Sequence, residues 1–158
     1  MRKLFWQLNR WLLKQNFYKQ IVFFYISSWV VTFLFMPLMY VSRNILGSES
    51  NKPDVNAWFF VIVVAPLIET SINQYGVYKI CQKISYTKHK PLLVIFISAL
   101  IFGLMHFYNL GYVFFGFAMG LVLAYVYYFY HKHPVKAFWA TTLIHALRNT
   151  TAYLLALI

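Results

Sequence analysis

The side chain with the clearest chemical potential in this sequence is the carboxylate of Glu69. The chain has three acidic residues, and two of them, Glu49 and Asp54, lie in a polar loop where a charge costs little. Glu69 instead interrupts a long apolar run, WFFVIVVAPLIETSINQYGVYKI. Pro66, three residues earlier, is expected to kink the helix and free backbone groups near the carboxylate. Because an ionisable group at membrane depth is costly, Glu69 indicates a functional site.

Two further apolar segments carry polar residues that are candidate partners of Glu69. Residues four positions apart are neighbours on one face of a helix. Phe102 and His106 have this spacing, and so do His145 and Asn149. The segment of Glu69 itself contains two such pairs: Glu69 with Asn73, and Thr70 with Gln74.

A glutamate, two histidines and an asparagine are suited to peptide hydrolysis without a covalent intermediate. A carboxylate held away from bulk water is a good general base toward a water molecule. One histidine can hold or polarise that water, and the second histidine and the asparagine can donate hydrogen bonds to the oxyanion. A divalent metal held by the glutamate and both histidines is the other interpretation, although the motif HExxH is absent.

The composition places these residues in a membrane protein. The chain is 61% hydrophobic, whereas soluble domains are about 45–50% apolar. A net charge of +11 would suggest nucleic-acid binding in a soluble protein. Here the basic residues lie between apolar runs, which favours a role in topology and in binding anionic lipid. The single cysteine, Cys81, excludes an internal disulfide and a cysteine-based metal site.

The apolar runs predict an all-α, multi-pass transmembrane helical bundle of about five spans. Crossing a bilayer takes about 20 residues, and five runs are near that length: residues 20–41, 57–78, 91–108, 110–130 and 137–158. The link between the third and fourth runs, Tyr108 to Gly111, predicts a tight helical hairpin. Gly116 and Gly120 form a GxxxG motif, which predicts close helix packing in the fourth run.

Residues 1–19 are predicted to form a separate amphipathic helix on the membrane surface, before a transmembrane domain of residues 20–158. Apolar residues fall close to one helical face and basic or polar residues fall largely on another. The apolar face comprises Leu4, Leu8, Trp11, Leu12 and Tyr18, and the polar face comprises Lys3, Gln7, Arg10 and Lys14.

The basic residues predict how the bundle is oriented in a plasma (inner) membrane. Most of the 14 Lys and Arg residues precede the first span or lie between spans two and three or spans four and five, on one side. The opposite side has Arg43 and Lys52, offset by Glu49 and Asp54. The positive-inside rule therefore predicts a cytoplasmic N-terminus and an external C-terminus. Arg148 lies inside a span, where it is expected either to pair with Glu69 or to extend toward the interface.

The depth of each residue gives a test of whether one site exists. At the rise of an α-helix, Glu69 lies about 15 Å from Lys79, and His145 lies about 14 Å from Lys136. These two depths agree. His106 lies about 22 Å from the start of its span, which places it nearer the outer side unless its helix is tilted or starts later.

In this order and placement, the three motifs resemble the CPBP family of intramembrane endopeptidases, which includes CAAX proteases and bacteriocin-processing (Abi) proteins. That family carries EExxxR, then FxxxH, then HxxxN or HxxxD on successive core helices. The corresponding residues here begin at Glu69, at Phe102 and at His145, and the resemblance covers roughly residues 57–158. It implies a membrane-associated peptide or protein substrate and no required cofactor, with a divalent metal left open.

The resemblance also implies roles for individual residues. Glu69 would be the catalytic base, His106 would position the water, and His145 with Asn149 would form the oxyanion site. Residues with supporting roles would be Thr70, Asn73, Gln74 and Phe102. The chain departs from the family pattern at two positions, where Thr70 replaces the second glutamate and Gln74 replaces the arginine. These two neutral residues could still hydrogen-bond with each other at their i, i+4 spacing.

Two alternatives to a protease follow from the sequence. The neutral residues Thr70 and Gln74 favour a catalytically inactive family member that binds a peptide or lipid, as in bacteriocin immunity. A small transporter or proton-relay subunit would have polar residues spread across the membrane depth. In this chain the polar residues cluster, which argues against transport.

Overall fold

The fold is a bundle of six helices, with no strand in the described part of the chain. The computed structural model describes residues 2–46, 57–107 and 109–157, with side chains from residue 7 onward except residues 43–46. The helices are α1 (Arg2–Leu13), α2 (Phe17–Leu46), α3 (Phe60–Lys83), α4 (Pro91–Met105), α5 (Leu110–Phe129) and α6 (Pro134–Ala156). The prediction of an all-α membrane bundle is confirmed. The predicted outer-loop residues Glu49, Lys52 and Asp54, and the side chains of Lys3, Leu4 and Arg43, lie outside the described residues.

Each of the five predicted runs forms a helix, but the five helices differ in their apolar character. By length and composition, α2, α3 and α5 are long and apolar enough to cross a membrane. The apolar helix α4 has 15 residues. Helix α6 has 23 residues but is less apolar, because it carries His145, Arg148 and Asn149.

Helix α5 lies at the centre of the bundle and packs against α2, α4 and α6. Its glycines allow a close approach to α4, as the GxxxG motif predicts. A Cβ atom on Gly120 would lie 2.8 Å from the Cα of Ala99. A Cβ atom on Gly103 of α4 would lie 2.9 Å from the backbone nitrogen of Phe117. The two helix backbones are therefore in direct contact, which leaves no room for a larger side chain at these positions.

We expect Gly120→Val to destabilise the protein by roughly 1–3 kcal/mol, the usual cost of overpacking a tight contact. The reason is that the added side chain meets the backbone of Ala99 instead of a flexible side-chain end. Thermal unfolding of the purified protein in detergent would measure the change. Ala152→Val places the same valine side chain at an exposed position of α6 and should leave unfolding unchanged. Equal unfolding curves for the two variants would contradict the packing argument.

Helix α1 packs against the bundle through one face. Leu12 of this face is fully buried in a core cluster with Phe24 of α2. The hydroxyl of Tyr125 donates a hydrogen bond of 2.8 Å to Asn9 Oδ1, and Gln20 Nε2 donates one of 2.9 Å to the carbonyl of Leu12. The buried face of α1 thus includes a polar residue, Asn9, that the amphipathic pattern did not predict.

The connections between α3 and α4 and between α5 and α6 lie at the same end of the bundle. The ring of Tyr78 lies 6.0 Å from the ring of His131 in the α5–α6 connection. Lys136 Nζ lies 5.2 Å from the centre of the Phe17 ring at the start of α2. We call this the basic end, because its connections and flanks carry Lys79, Lys83, Lys88, Lys90, Lys132 and Lys136.

Candidate active site

The helix that carries Glu69 is irregular on both sides of this residue. Two π-helical turns, Phe60–Val64 and Thr70–Gly76, flank the α-helical segment Ala65–Glu69. π-Helical turns inside α-helices are rare, and those that do occur are frequently found at functional sites. Helix α3 therefore deviates from regular spacing at the position where the sequence predicts the catalytic base.

Pro66 frees a backbone carbonyl that a second helix uses. In the first π-helical turn the N–H of Ala65 bonds to the carbonyl of Phe60. The next carbonyl, that of Val61, would need an N–H at Pro66, which has none. The side chain of Asn149 instead donates a hydrogen bond of 2.8 Å from Nδ2 to the oxygen of Val61. Pro66 therefore leaves the carbonyl of Val61 without a helical partner, as predicted, and the hydrogen bond from Asn149 to this carbonyl joins α3 to α6.

Glu69 and His145 face each other between α3 and α6. Glu69 Oε2 lies 3.6 Å from His145 Nε2, and the side chains are 25% and 4% exposed, respectively. Glu69 Oε2 is itself buried and has no hydrogen-bond partner among the described residues. At this separation, one oxygen atom of a water or a substrate can contact both groups.

His106 lies beside this pair because its side chain folds back over the end of α4. The helix ends at Met105, and His106 Nδ1 donates a hydrogen bond of 2.7 Å to the carbonyl of Phe102. Because a carbonyl oxygen can only accept, Nδ1 carries the proton, and in neutral His106 Nε2 is left as an acceptor. His106 can therefore accept a hydrogen bond from a water molecule.

Phe102 joins the two histidines into one cluster. Its ring lies 4.7 Å from the ring of His106 and 5.5 Å from the ring of His145. A Cβ atom on Gly116 of α5 would lie 3.0 Å from two atoms of the His106 ring, so this glycine lets the histidine pack closely. Through Phe102, His106 and His145 belong to one cluster, and the depth of His106 in the membrane stays a prediction.

The residues that follow Glu69 on α3 are buried, but they do not form the expected pair. Thr70, Asn73 and Gln74 are at most 1% exposed. The hydroxyl of Thr70 and both amide atoms of Gln74 have no hydrogen-bond partner among the described residues. The hydrogen bond between Thr70 and Gln74 that the i, i+4 spacing allowed is therefore absent. A π-helical turn bonds residues five apart, so residues four apart no longer lie directly above one another.

Arg148 does not pair with Glu69, nor does it extend to the surface. It is 3% exposed, and its guanidinium carbon lies 3.5 Å from the ring centre of Trp29. Its Nη2 donates a hydrogen bond of 3.2 Å to Thr32 Oγ1. Both expectations from the sequence are wrong. Helix α2 instead supplies the ring of Trp29 and the hydroxyl of Thr32 as partners, which the sequence of the span did not indicate.

The donor groups of the cluster do not fit a metal centre of the usual kind. A catalytic zinc ion takes three protein ligands and a water. Within residues 7–42, 57–107 and 109–157, no three His, Cys, Asp or Glu side chains form a group that could hold a metal ion. The cluster itself supplies a carboxylate, two imidazoles and the amide of Asn149.

Comparison with known proteins identifies the family of the chain. A family model described as "Type II CAAX prenyl endopeptidase Rce1-like" matches residues 51–151, which is well over half of the chain. The matched region contains every residue of the cluster, from Glu69 to Asn149. The chain matches no curated protein and no solved structure. The chain therefore belongs to the Rce1-like family of type II CAAX prenyl endopeptidases, which indicates a membrane peptidase of the CAAX-protease type.

Proposed function

We propose that this protein hydrolyses a peptide bond in a membrane-associated peptide or protein, with Glu69 as the base that activates water. The observation that carries the proposal is the 3.6 Å separation of Glu69 Oε2 and His145 Nε2. The carboxylate oxygen is buried and has no hydrogen-bond partner among the described residues, so it is available to accept a proton. By the positive-inside rule, the basic end faces the cytoplasm in this proposal.

The reaction needs one proton acceptor and one set of donors. Glu69 takes a proton from water while the water oxygen adds to the scissile carbonyl carbon. His106 Nε2 accepts the second water hydrogen and so orients the attacking oxygen. The oxyanion receives hydrogen bonds from His145 Nε2–H and from the amide N–H of Asn149 that is not bonded to Val61. Glu69 then returns its proton to the leaving nitrogen as the carbon–nitrogen bond breaks.

A fluorescence assay in proteoliposomes tests the proposal. Two quenched peptides with the same sequence would be used, one with a prenylated cysteine near its C-terminus and one without the prenyl group. Cleavage of either peptide by the wild type, with loss of cleavage in Glu69→Gln, is the expected result. Preference for the prenylated peptide would define the substrate class. Equal cleavage by the Glu69→Gln variant would overturn the role of Glu69.

We expect cleavage to persist after metal chelation. The proposed base is a carboxylate that acts directly, and the described residues supply no group of three metal ligands. Activity would be compared before and after dialysis against phenanthroline, with a zinc peptidase as the positive control for chelation. Loss of activity that is restored by adding back one divalent ion would contradict the direct mechanism.

A catalytically inactive family member that binds a peptide or lipid is the second candidate. The observation that favours it is the neutral pair Thr70 and Gln74, which occupies positions where the resembled motif EExxxR has charged residues. The same proteoliposomes distinguish the two functions. Binding of the peptides without cleavage by the wild type, and unchanged binding in Glu69→Gln, would favour the second candidate.

A further inference from the structure

Buried polar atoms without hydrogen-bond partners are concentrated on two helices, α3 and α6. Eight buried side-chain nitrogen or oxygen atoms of the described residues have no hydrogen-bond partner. One is Arg148 Nε, and the other seven belong to six residues of α3 and α6, two helices that pack against each other. We call these six residues the polar seam: Glu69, Thr70, Asn73, Gln74, Thr142 and His145.

The polar seam runs from Glu69 and His145 toward the basic end. Helix α3 enters the basic end after Gln74, and helix α6 leaves it before Thr142, so the two helices are antiparallel. Gln74 lies five residues beyond Glu69 in this direction, and Thr142 lies three residues before His145. On both helices the unpartnered atoms therefore extend from Glu69 and His145 toward the same side of the membrane.

The seam ends at a small cavity between α3, α4 and α5. Its polar lining comes from Gln74, Ser98 and three tyrosines, Tyr78, Tyr127 and Tyr128. It has room for about one water molecule. The hydroxyl of Ser98 donates a hydrogen bond of 2.6 Å to the carbonyl of Asn73, which leaves its oxygen as an acceptor toward the cavity.

A buried polar atom without a partner is costly, and nearly all such atoms in proteins are paired with protein groups or with ordered water. Lipid offers no partner, and no protein group of the described residues hydrogen-bonds to these seven atoms. Water can bridge such groups at little cost. We propose that the polar seam binds a chain of water molecules from the cavity at Gln74 to Glu69. Its role as the supply of hydrolytic water rests on the proposed function.

Radiolytic labelling tests the water-binding site without any need for cleavage. Short X-ray pulses form hydroxyl radicals from water at its site, and mass spectrometry then locates the oxidised side chains. Tyr127 and Phe24 are both buried in the same core cluster, at 2% and 0% exposed, but of the two only Tyr127 lines the cavity. In nanodiscs we expect Tyr127 to be labelled and Phe24 to stay unlabelled. Equal labelling of the two rings would overturn the site.

Variants of the seam test the supply of water to Glu69. Thr70→Val removes a hydroxyl with little change in size, and we expect kcat to fall roughly tenfold with KM unchanged, as for a bound water that is held less well. Ser71→Ala removes an exposed hydroxyl one residue away and should leave kcat unchanged. Labelling of Tyr127 should fall in Gln74→Met.

The outcomes separate this proposal from the proposed function. Loss of cleavage in Glu69→Gln together with an unlabelled Tyr127 would leave the protease mechanism intact and overturn the water chain. Labelling of Tyr127 in a protein that cleaves neither peptide would support the water site and overturn the protease. If Thr70→Val fails to fold, labelling of the wild type still decides whether the cavity holds water.

Discussion

Glu69→Gln is expected to lower kcat for peptide cleavage by roughly 10³-fold, within the range for loss of a general base. The substitution keeps the size of the side chain and a carbonyl oxygen but removes the group that can take a proton from water. Its surroundings should persist, because Glu69 Oε2 makes no hydrogen bond among the described residues that the amide would break. Single-turnover cleavage in proteoliposomes would measure the change.

The matched control for this variant is Asp54→Asn, which neutralises an acid that the sequence places in the polar loop. We expect it to cleave at the wild-type rate. Circular dichroism and thermal unfolding would establish that Glu69→Gln keeps the helical fold. A folded Glu69→Gln protein with the kcat of the wild type would exclude Glu69 as the base.

His145→Phe is expected to lower kcat by roughly 10²–10³-fold, the usual cost of removing one donor to an oxyanion. Phenylalanine is close to histidine in size and suits a side chain that is 4% exposed, so packing against Phe102 should persist. What is lost is the N–H at the position of Nε2, which lies 3.6 Å from the carboxylate of Glu69.

His145→Gln gives the comparison that separates donation from packing. Its amide can place an N–H near the position of Nε2, so we expect it to recover part of the lost rate. If His145→Gln and His145→Phe lose the same activity, a hydrogen-bond donor at this position is not what the reaction needs. If neither variant loses activity, the oxyanion role of His145 is wrong.

The two departures from the family pattern have a structural consequence in this chain. Thr70 and Gln74 are buried beside Glu69, and neither side chain finds a hydrogen-bond partner among the described residues. A glutamate and an arginine at these positions could form an ion pair with each other. A neutral, unpaired set leaves donors and acceptors open, which is why the water chain is proposed along this face of α3.

The sequence by itself determined the class of protein and the residues of the candidate site. An excess of apolar residues and five long apolar runs indicate a membrane bundle because lipid requires apolar outer faces and fully bonded helices. Glu69 was identifiable because an acid at membrane depth has few explanations other than function. The i, i+4 spacing then selected His106, His145 and Asn149, since this pattern is local to each helix.

Only the tertiary structure decided how these residues meet, because contacts between helices depend on where each helix ends and on departures from regular spacing. Helix α4 stops at Met105, and this end lets His106 fold back toward Phe102. A π-helical turn after Glu69 separates Thr70 from Gln74, and a proline-freed carbonyl binds Asn149. Arg148 packs on Trp29 of α2. Helical periodicity assumes unbroken α-helices, so it could predict the faces of the helices but not these contacts.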